Sequence, residues 1–180
     1  MPTMRYGVLA LMFLLCSVLL YACSDPVRVA RREVDRVSRA TMRTEVGLKR
    51  TTRSALATIA KDEGVALGRA LRAAGCPSPA ATQPAEGSPA PCKQIAAEGA
   101  LRLQKRLGDV TAAARKVDKG VGLVYATLLI VLDLVEDIDA GLRGNGWQAK
   151  LATVVTDVAK AWGDLVLAYA AYQTTFGGVQ

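Results

Sequence analysis

The sequence predicts an all-α protein: a long antiparallel helical hairpin with a third helix packed on one half, which makes an elongated, coiled-coil-like three-helix bundle. Two observations carry this prediction. Of all residues, 51% are apolar but only 5% are aromatic, and the apolar residues are mostly Ala, Leu and Val, a mixture that favours helix over strand. Apolar positions also recur every three or four residues over long stretches, which is the period of one helix face.

The N-terminal segment predicts a secretory signal peptide. Arg5 is the only charged residue before a run from Tyr6 to Cys23 that contains no charge, and a short basic head followed by an apolar run is typical of an export signal. The alternative is an uncleaved anchor helix, because the run falls within the roughly 17–25 residues that span a bilayer. Several arginines close behind the run favour this alternative, since basic residues there resist translocation.

The end of this segment, Leu20-Tyr21-Ala22-Cys23, resembles a bacterial lipobox, and the resemblance covers only about the first 25 residues. It implies that residues 1–22 are removed and that Cys23 becomes an acylated, palmitate-carrying N-terminus. The rest, residues 23–180, would then form a single helical domain, tethered to the cell membrane and facing the periplasm. Ser24 after the cysteine implies the outer membrane rather than the inner one, by resemblance to enteric lipoprotein sorting.

The first helix is predicted over residues 27–75, which contain no proline and, before the glycine at their end, only three glycines. A narrow seam of apolar or small residues, from Val27 to Ile59, follows one side at 100° per residue. Arginines cluster on the opposite side, where they are candidates for contact with anionic lipid head groups. The alternative is a solvated helix face with intrahelical ion pairs. The candidate residues are Arg28, Arg32, Arg36, Arg39 and Arg43.

Residues 76–92 predict a linker between two helices, since most of the prolines of the chain fall here. Cysteines stand at both ends. Once Cys16 leaves with the signal and Cys23 takes the lipid, Cys76 and Cys92 remain as a disulfide pair, which suits an oxidising compartment. The alternatives are two free thiols and a plain flexible linker.

The second helix is predicted over residues 93–142. Apolar residues from Ala96 to Leu142 alternate spacings of three and four without a miss, which indicates coiled-coil-like packing. Because the phase continues through Gly120 and Gly122, we expect one helix, with these glycines allowing close approach of a neighbour; a break at Gly120 is the alternative. Residues 121–132 are apolar on all sides, so we expect two neighbouring helices to cover them.

The third helix is predicted over residues 147–173, after a glycine-rich stop. Asn145 and Gln148 resemble a capping box at its start. Its apolar stripe runs from Trp147 to Tyr172 at spacings of three and four, with Trp162 in the middle and therefore expected in the core. The acidic end of the second helix is expected to meet the basic start of the first.

No enzymatic activity is expected. The chain contains no histidine, which excludes Ser-His-Asp and Cys-His catalysis, and the glycine motifs lack the spacing of a dinucleotide fingerprint. No cofactor and no metal site are expected, because the carboxylates near the end of the second helix are better explained as an exposed face. These carboxylates are Asp133, Glu136, Asp137 and Asp139.

The sequence therefore predicts a membrane-tethered envelope lipoprotein that acts as a non-enzymatic scaffold or protein-interaction module. Its expected partners are the membrane, through the lipid, and either an unidentified envelope protein or a second copy of itself. One alternative is a membrane-active lysis, exclusion or pore-forming factor. Another is an uncleaved, N-terminally anchored helical protein; nucleic acid is not an expected partner, since few aromatic residues accompany the arginines.

Overall fold

The structure, a computed structural model, describes residues 26–76, 89–142 and 144–177. These residues form helices joined by turns, with no strand among them, and the predicted all-α three-helix fold is confirmed. They pack as two compact units. The helices are α1 (Pro26–Ala73), α2 (Ala90–Asp139) and α3 (Trp147–Phe176).

Glycines in the left-handed conformation end both long helices. After α1, Gly75 has φ +68°, and the amides of Gly75 and Cys76 donate to the carbonyls of Arg72 and Leu71 at 3.0 and 2.9 Å. These two bonds make a Schellman cap, which satisfies carbonyls at the helix end. Gly141, with φ +81°, ends α2 in the same way, so α2 stops three residues before the predicted Leu142.

The helix starts differ slightly from the predicted ones. Helix α2 begins at Ala90 rather than Lys93, because Pro91 falls in the first turn, where its missing N–H costs no helical hydrogen bond. Helix α3 begins at Trp147, and Gly146 accepts its first backbone hydrogen bond from Lys150 at 3.1 Å. Gly146 therefore stands at the N-cap that the sequence assigns to Asn145.

The first unit comprises residues 26–48, 115–142 and 144–172 and contains the first half of α1, the second half of α2 and most of α3. Ala30 of α1, Val131 of α2 and Val155 of α3 line one small, mainly apolar space between the three helices. Thr41 is fully buried there, and its hydroxyl donates to the Val37 carbonyl at 2.8 Å. The rest of the core comes from the predicted seams of α1 and α2 and from one side of α3: Val34, Leu48, Val117, Val121, Val124, Leu128, Val135, Ile138, Leu151, Val158, Ala161, Leu165 and Tyr172.

The second unit comprises residues 49–76, 89–114 and 173–177. Helices α1 and α2 run antiparallel in it, and its core centres on Ala55, Ile59 and Val110. An ion pair also joins the helices, since Arg106 Nη1 donates to Glu63 Oε1 at 2.7 Å.

Some seam positions differ from the prediction. Ala100 is exposed and Gly99 is buried in its place, where Leu67 Cδ1 lies 2.9 Å from the position a Cβ would take. Leu142 is 70% exposed because it follows the glycine that ends α2. On α3, Trp162 is only half-buried, whereas Ala161 is buried. The expectation that Trp162 belongs to the core is therefore met only in part, because Trp162 lies on the buried side of α3 but its side chain keeps some contact with solvent.

Candidate functional site

The lipidation candidate Cys23 lies outside the described residues. Its acylation, the cleavage before it and the orientation of residues 1–22 stay predictions. The described chain begins at Pro26 with helix already formed, so the features that follow start close behind Cys23 in sequence.

The predicted arginines share one solvent-facing surface of α1, here called the arginine face: Arg28, Arg32, Arg36, Arg39 and Arg43. All five side chains are exposed, and at 100° per residue they lie within an arc of about 80°. Met42 and Val46 fall within or beside the same arc and are 61% and 56% exposed. The arginine face therefore combines positive charge with exposed apolar side chains.

Two members of the arginine face, Arg36 and Arg39, make contacts that neutralise little of their charge. Arg36 Nη1 lies 3.8 Å from Glu33 Oε1, at the outer limit of an ion pair. Arg39 Nε donates to the backbone carbonyl of Asp35 at 3.2 Å, which does not neutralise the guanidinium. Arg31, which lies beside the face, pairs with Asp139 of α2. This contact is the predicted meeting of the basic start of α1 with the acidic end of α2.

The two cysteines that flank the proline-rich segment come together in the second unit. The sulfur atoms of Cys76 and Cys92 lie 2.08 Å apart, which is disulfide distance, and the Cα atoms are 5.9 Å apart. The Schellman cap at Gly75 turns the chain so that Cys76 faces the first turn of α2, where Cys92 is buried.

Sequence reasoning missed one surface, which is here called the outer α2 face: Gly122, Leu123, Ala126, Leu129 and Ile130. All five residues are exposed, and the exposed fractions of the three large side chains are 54%, 61% and 53%. The sequence predicts that two neighbouring helices cover the apolar stretch 121–132. Helices α1 and α3 bury its inner side and leave this outer side to solvent.

Two glycines of α2 differ in the same way, since Gly120 lies against α3 and Gly122 lies on the outer α2 face. A Cβ on Gly120 would lie 3.2 Å from Leu165 Cδ1 of α3, so Gly120 allows the close approach that the sequence predicts. A Cβ on Gly122 would meet nothing within 4 Å. Gly122 therefore serves no contact within the described residues and leaves a flat spot on the outer α2 face.

Two further findings concern the described residues alone. None of their helices combines the length and the apolar character needed to cross a membrane. In the same ranges, no three carboxylate or thiol side chains are grouped closely enough to hold a metal ion.

Comparison with protein-family models, with curated proteins and with solved structures found no match to this chain.

Proposed function

We propose that this protein is a lipid-anchored protein of the bacterial envelope that faces the periplasm, with the outer membrane favoured, and acts there as a non-enzymatic scaffold. Acyl chains on Cys23 hold it to the membrane, and the arginine face of α1 binds anionic lipid head groups beside the anchor. The observation that carries the proposal is the position of that face, since its first arginine stands five residues after Cys23 and all its members are exposed.

Two contacts with the membrane, the acyl chains on Cys23 and the arginine face, are expected to add their binding free energies. Each basic residue at an anionic membrane surface contributes about 1 kcal/mol, so the arginine face supplies a few kcal/mol even after partial pairing of Arg36. Met42 and Val46 add exposed apolar area on the same side, and apolar area that becomes buried at a lipid surface strengthens binding. Electrostatic binding also orients the helix, because only one side of α1 carries the stripe.

The anchor is tested first by metabolic labelling with a fatty-acid analogue. The intact protein is expected to take up label and to begin at Cys23 in its mature form, whereas Cys23→Ser takes up none. A mature protein that mass spectrometry finds to begin at Met1 without an acyl group would rule out the anchor.

The arginine face is tested separately, with a chain that lacks residues 1–22 and carries Cys23→Ser. We expect it to sediment with vesicles of phosphatidylglycerol and phosphatidylcholine but not with phosphatidylcholine alone. Replacing Arg32, Arg39 and Arg43 by Gln is expected to weaken binding at least about tenfold, from roughly 1 kcal/mol per lost charge. A control with the same net charge replaces three exposed basic residues elsewhere: Arg69→Gln, Lys105→Gln and Lys160→Gln. Equal weakening by both variants would show that net charge, not the arginine face, governs binding.

A further inference from the structure

The outer α2 face is nearly symmetric about Ala126. Leu123 and Leu129 lie three residues before and after it, and Gly122 and Ile130 lie four residues before and after. On a helix all four project within about 60° of the direction of Ala126. The small residues Gly122 and Ala126 are spaced by four, which lets a second helix approach closely between the larger side chains.

Charged residues continue this symmetry with opposite signs. Lys119 and Asp133 lie seven residues on either side of Ala126, and Lys116 and Glu136 lie ten. Arg115 and Asp137 follow at eleven residues on either side. All six side chains are exposed, and within the described residues none takes part in a salt bridge. The N-terminal end of the face is therefore basic and the C-terminal end is acidic, with the apolar patch between them.

We infer that the outer α2 face binds the same face of a second copy of this chain, antiparallel, around a twofold axis at Ala126. In that arrangement each residue lies opposite its symmetry mate of the other copy. Leu123 meets Leu129, Gly122 meets Ile130, and each basic residue meets an acidic one.

The charges select the direction of this pairing. In a parallel arrangement Lys119 would face the same lysine of the second copy and Asp133 the same aspartate, and juxtaposed like charges oppose association. The positions 119, 122, 126, 129 and 133 also alternate spacings of three and four, so they form a second heptad seam on the side of α2 opposite the core. The inference deepens the proposed scaffold function. It rests on that function only because a scaffold is expected to assemble with other protein chains.

The direct test is cysteine cross-linking of the full chain in intact cells. Two differently tagged copies are co-expressed, one with Lys119→Cys and the other with Asp133→Cys, and we expect a disulfide-linked heterodimer on a non-reducing gel. Each variant expressed alone is the control. Positions 119 and 133 are about 21 Å apart along the helix, so an antiparallel pair leaves two copies of the same variant unlinked. Linkage of Lys119→Cys to itself would indicate a parallel pair and overturn the inference.

A charge exchange tests the same interface without new cysteines, by sedimentation of the full chain in a density-matched detergent. Lys119→Glu and Asp133→Lys each place two like-charged pairs across the axis, and we expect each to raise the dissociation constant at least about tenfold. An equimolar mixture of the two variants restores both attractive pairs and is expected to form heterodimers with roughly the parental affinity. Unchanged melting temperatures of the exposed-site variants show that folding is retained.

A parental chain that stays monomeric at all concentrations and gives no 119-to-133 cross-link in cells overturns the inference, as does a mixture that fails to recover. If the protein is monomeric but releases dye from vesicles through this face, its occupant is lipid instead. These outcomes are independent of the proposed anchor, since acylation of Cys23 and vesicle binding by the arginine face are measured without reference to oligomeric state.

Discussion

Replacing Gly47 by Ala tests how closely α3 is seated on α1. Gly47 lies against Tyr169 of α3, and a Cβ added to it would lie 3.3 Å from Tyr169 Cζ and overlap the Tyr169 hydroxyl oxygen. Because the phenol ring is rigid, the overlap is relieved only if the whole ring or the helix that carries it moves. The variant therefore tests tertiary packing at a position where the sequence shows only a glycine inside a helix.

The expected change in stability is the sum of two opposing effects. Alanine in place of glycine inside a helix gains about 1 kcal/mol, whereas forcing extra atoms into a packed contact costs about 1–3 kcal/mol. Gly47→Ala should therefore destabilise the protein by roughly 0–2 kcal/mol. Gly64, in the same helix, is the matched control, since a Cβ there would meet nothing within 4 Å, and Gly64→Ala should stabilise by about 0.5–1 kcal/mol.

Denaturant unfolding of a chain without residues 1–22, followed by circular dichroism, measures both variants. Tyr169→Phe removes the overlapping hydroxyl, so a double-mutant cycle between Gly47→Ala and Tyr169→Phe should give a coupling energy of at least about 1 kcal/mol. The cycle cancels whatever other contacts the Tyr169 hydroxyl makes. If Gly47→Ala stabilises as much as Gly64→Ala and the coupling is zero, the seating of α3 on α1 described here is wrong.

Three further predictions concern the core, the disulfide and the ion pair. Leu165 is fully buried, so Leu165→Ala should lower the free energy of unfolding by about 2–5 kcal/mol. Trp162 is only half-buried, so Trp162→Ala should lower it by less than Leu165→Ala does. Equal losses of the two variants in a denaturant titration would place Trp162 in the core. Cys76 and Cys92 should resist alkylation in exported protein until reductant is added, and reduction should lower stability by about 3 kcal/mol; full alkylation without reductant contradicts the bond. Glu63→Gln should lower the free energy of unfolding by no more than about 1 kcal/mol, because the two arginines that pair with Glu63 are about half exposed. The loss should disappear in about 1 M salt, which screens exposed charges. A loss that persists at this salt concentration would show that the substitution disturbs packing instead of an ion pair.

Features set by local physics could be predicted from the sequence. The long helices follow from heptad spacing and the absence of internal proline, and their ends follow from glycines such as Gly75 and Gly141, which adopt the left-handed conformation at little cost. The exposure of the arginine face also follows from spacing. The arginines lie on the side of α1 opposite the apolar seam, so burial of the seam leaves them in solvent. The close approach of Cys76 and Cys92 follows from their position at the two ends of one short connection.

Which residues of the apolar side of α3 are fully buried could not be predicted in this way. Its sequence has apolar residues at adjacent positions, such as Val154 with Val155 and Ala161 with Trp162, so the helical period alone does not tell which member of each pair is fully buried. Packing against two helices at once decides between them. A narrow space between three helices accepts Val155 and Ala161, whereas a tryptophan fits better at the margin, where its bulk need not be enclosed.

For the stretch 121–132, the sequence by itself determined that it forms helix and that its Val and Leu residues prefer burial. Only the tertiary structure decided which of them are buried, because that depends on the number and placement of neighbouring helices. Helices α1 and α3 cover Val124 and Leu128 on one side of α2. The described residues form no further helix that could cover Leu129 and Ile130 on the other side. Hydrophobicity is a property of each residue, whereas an uncovered face is a property of the assembled bundle.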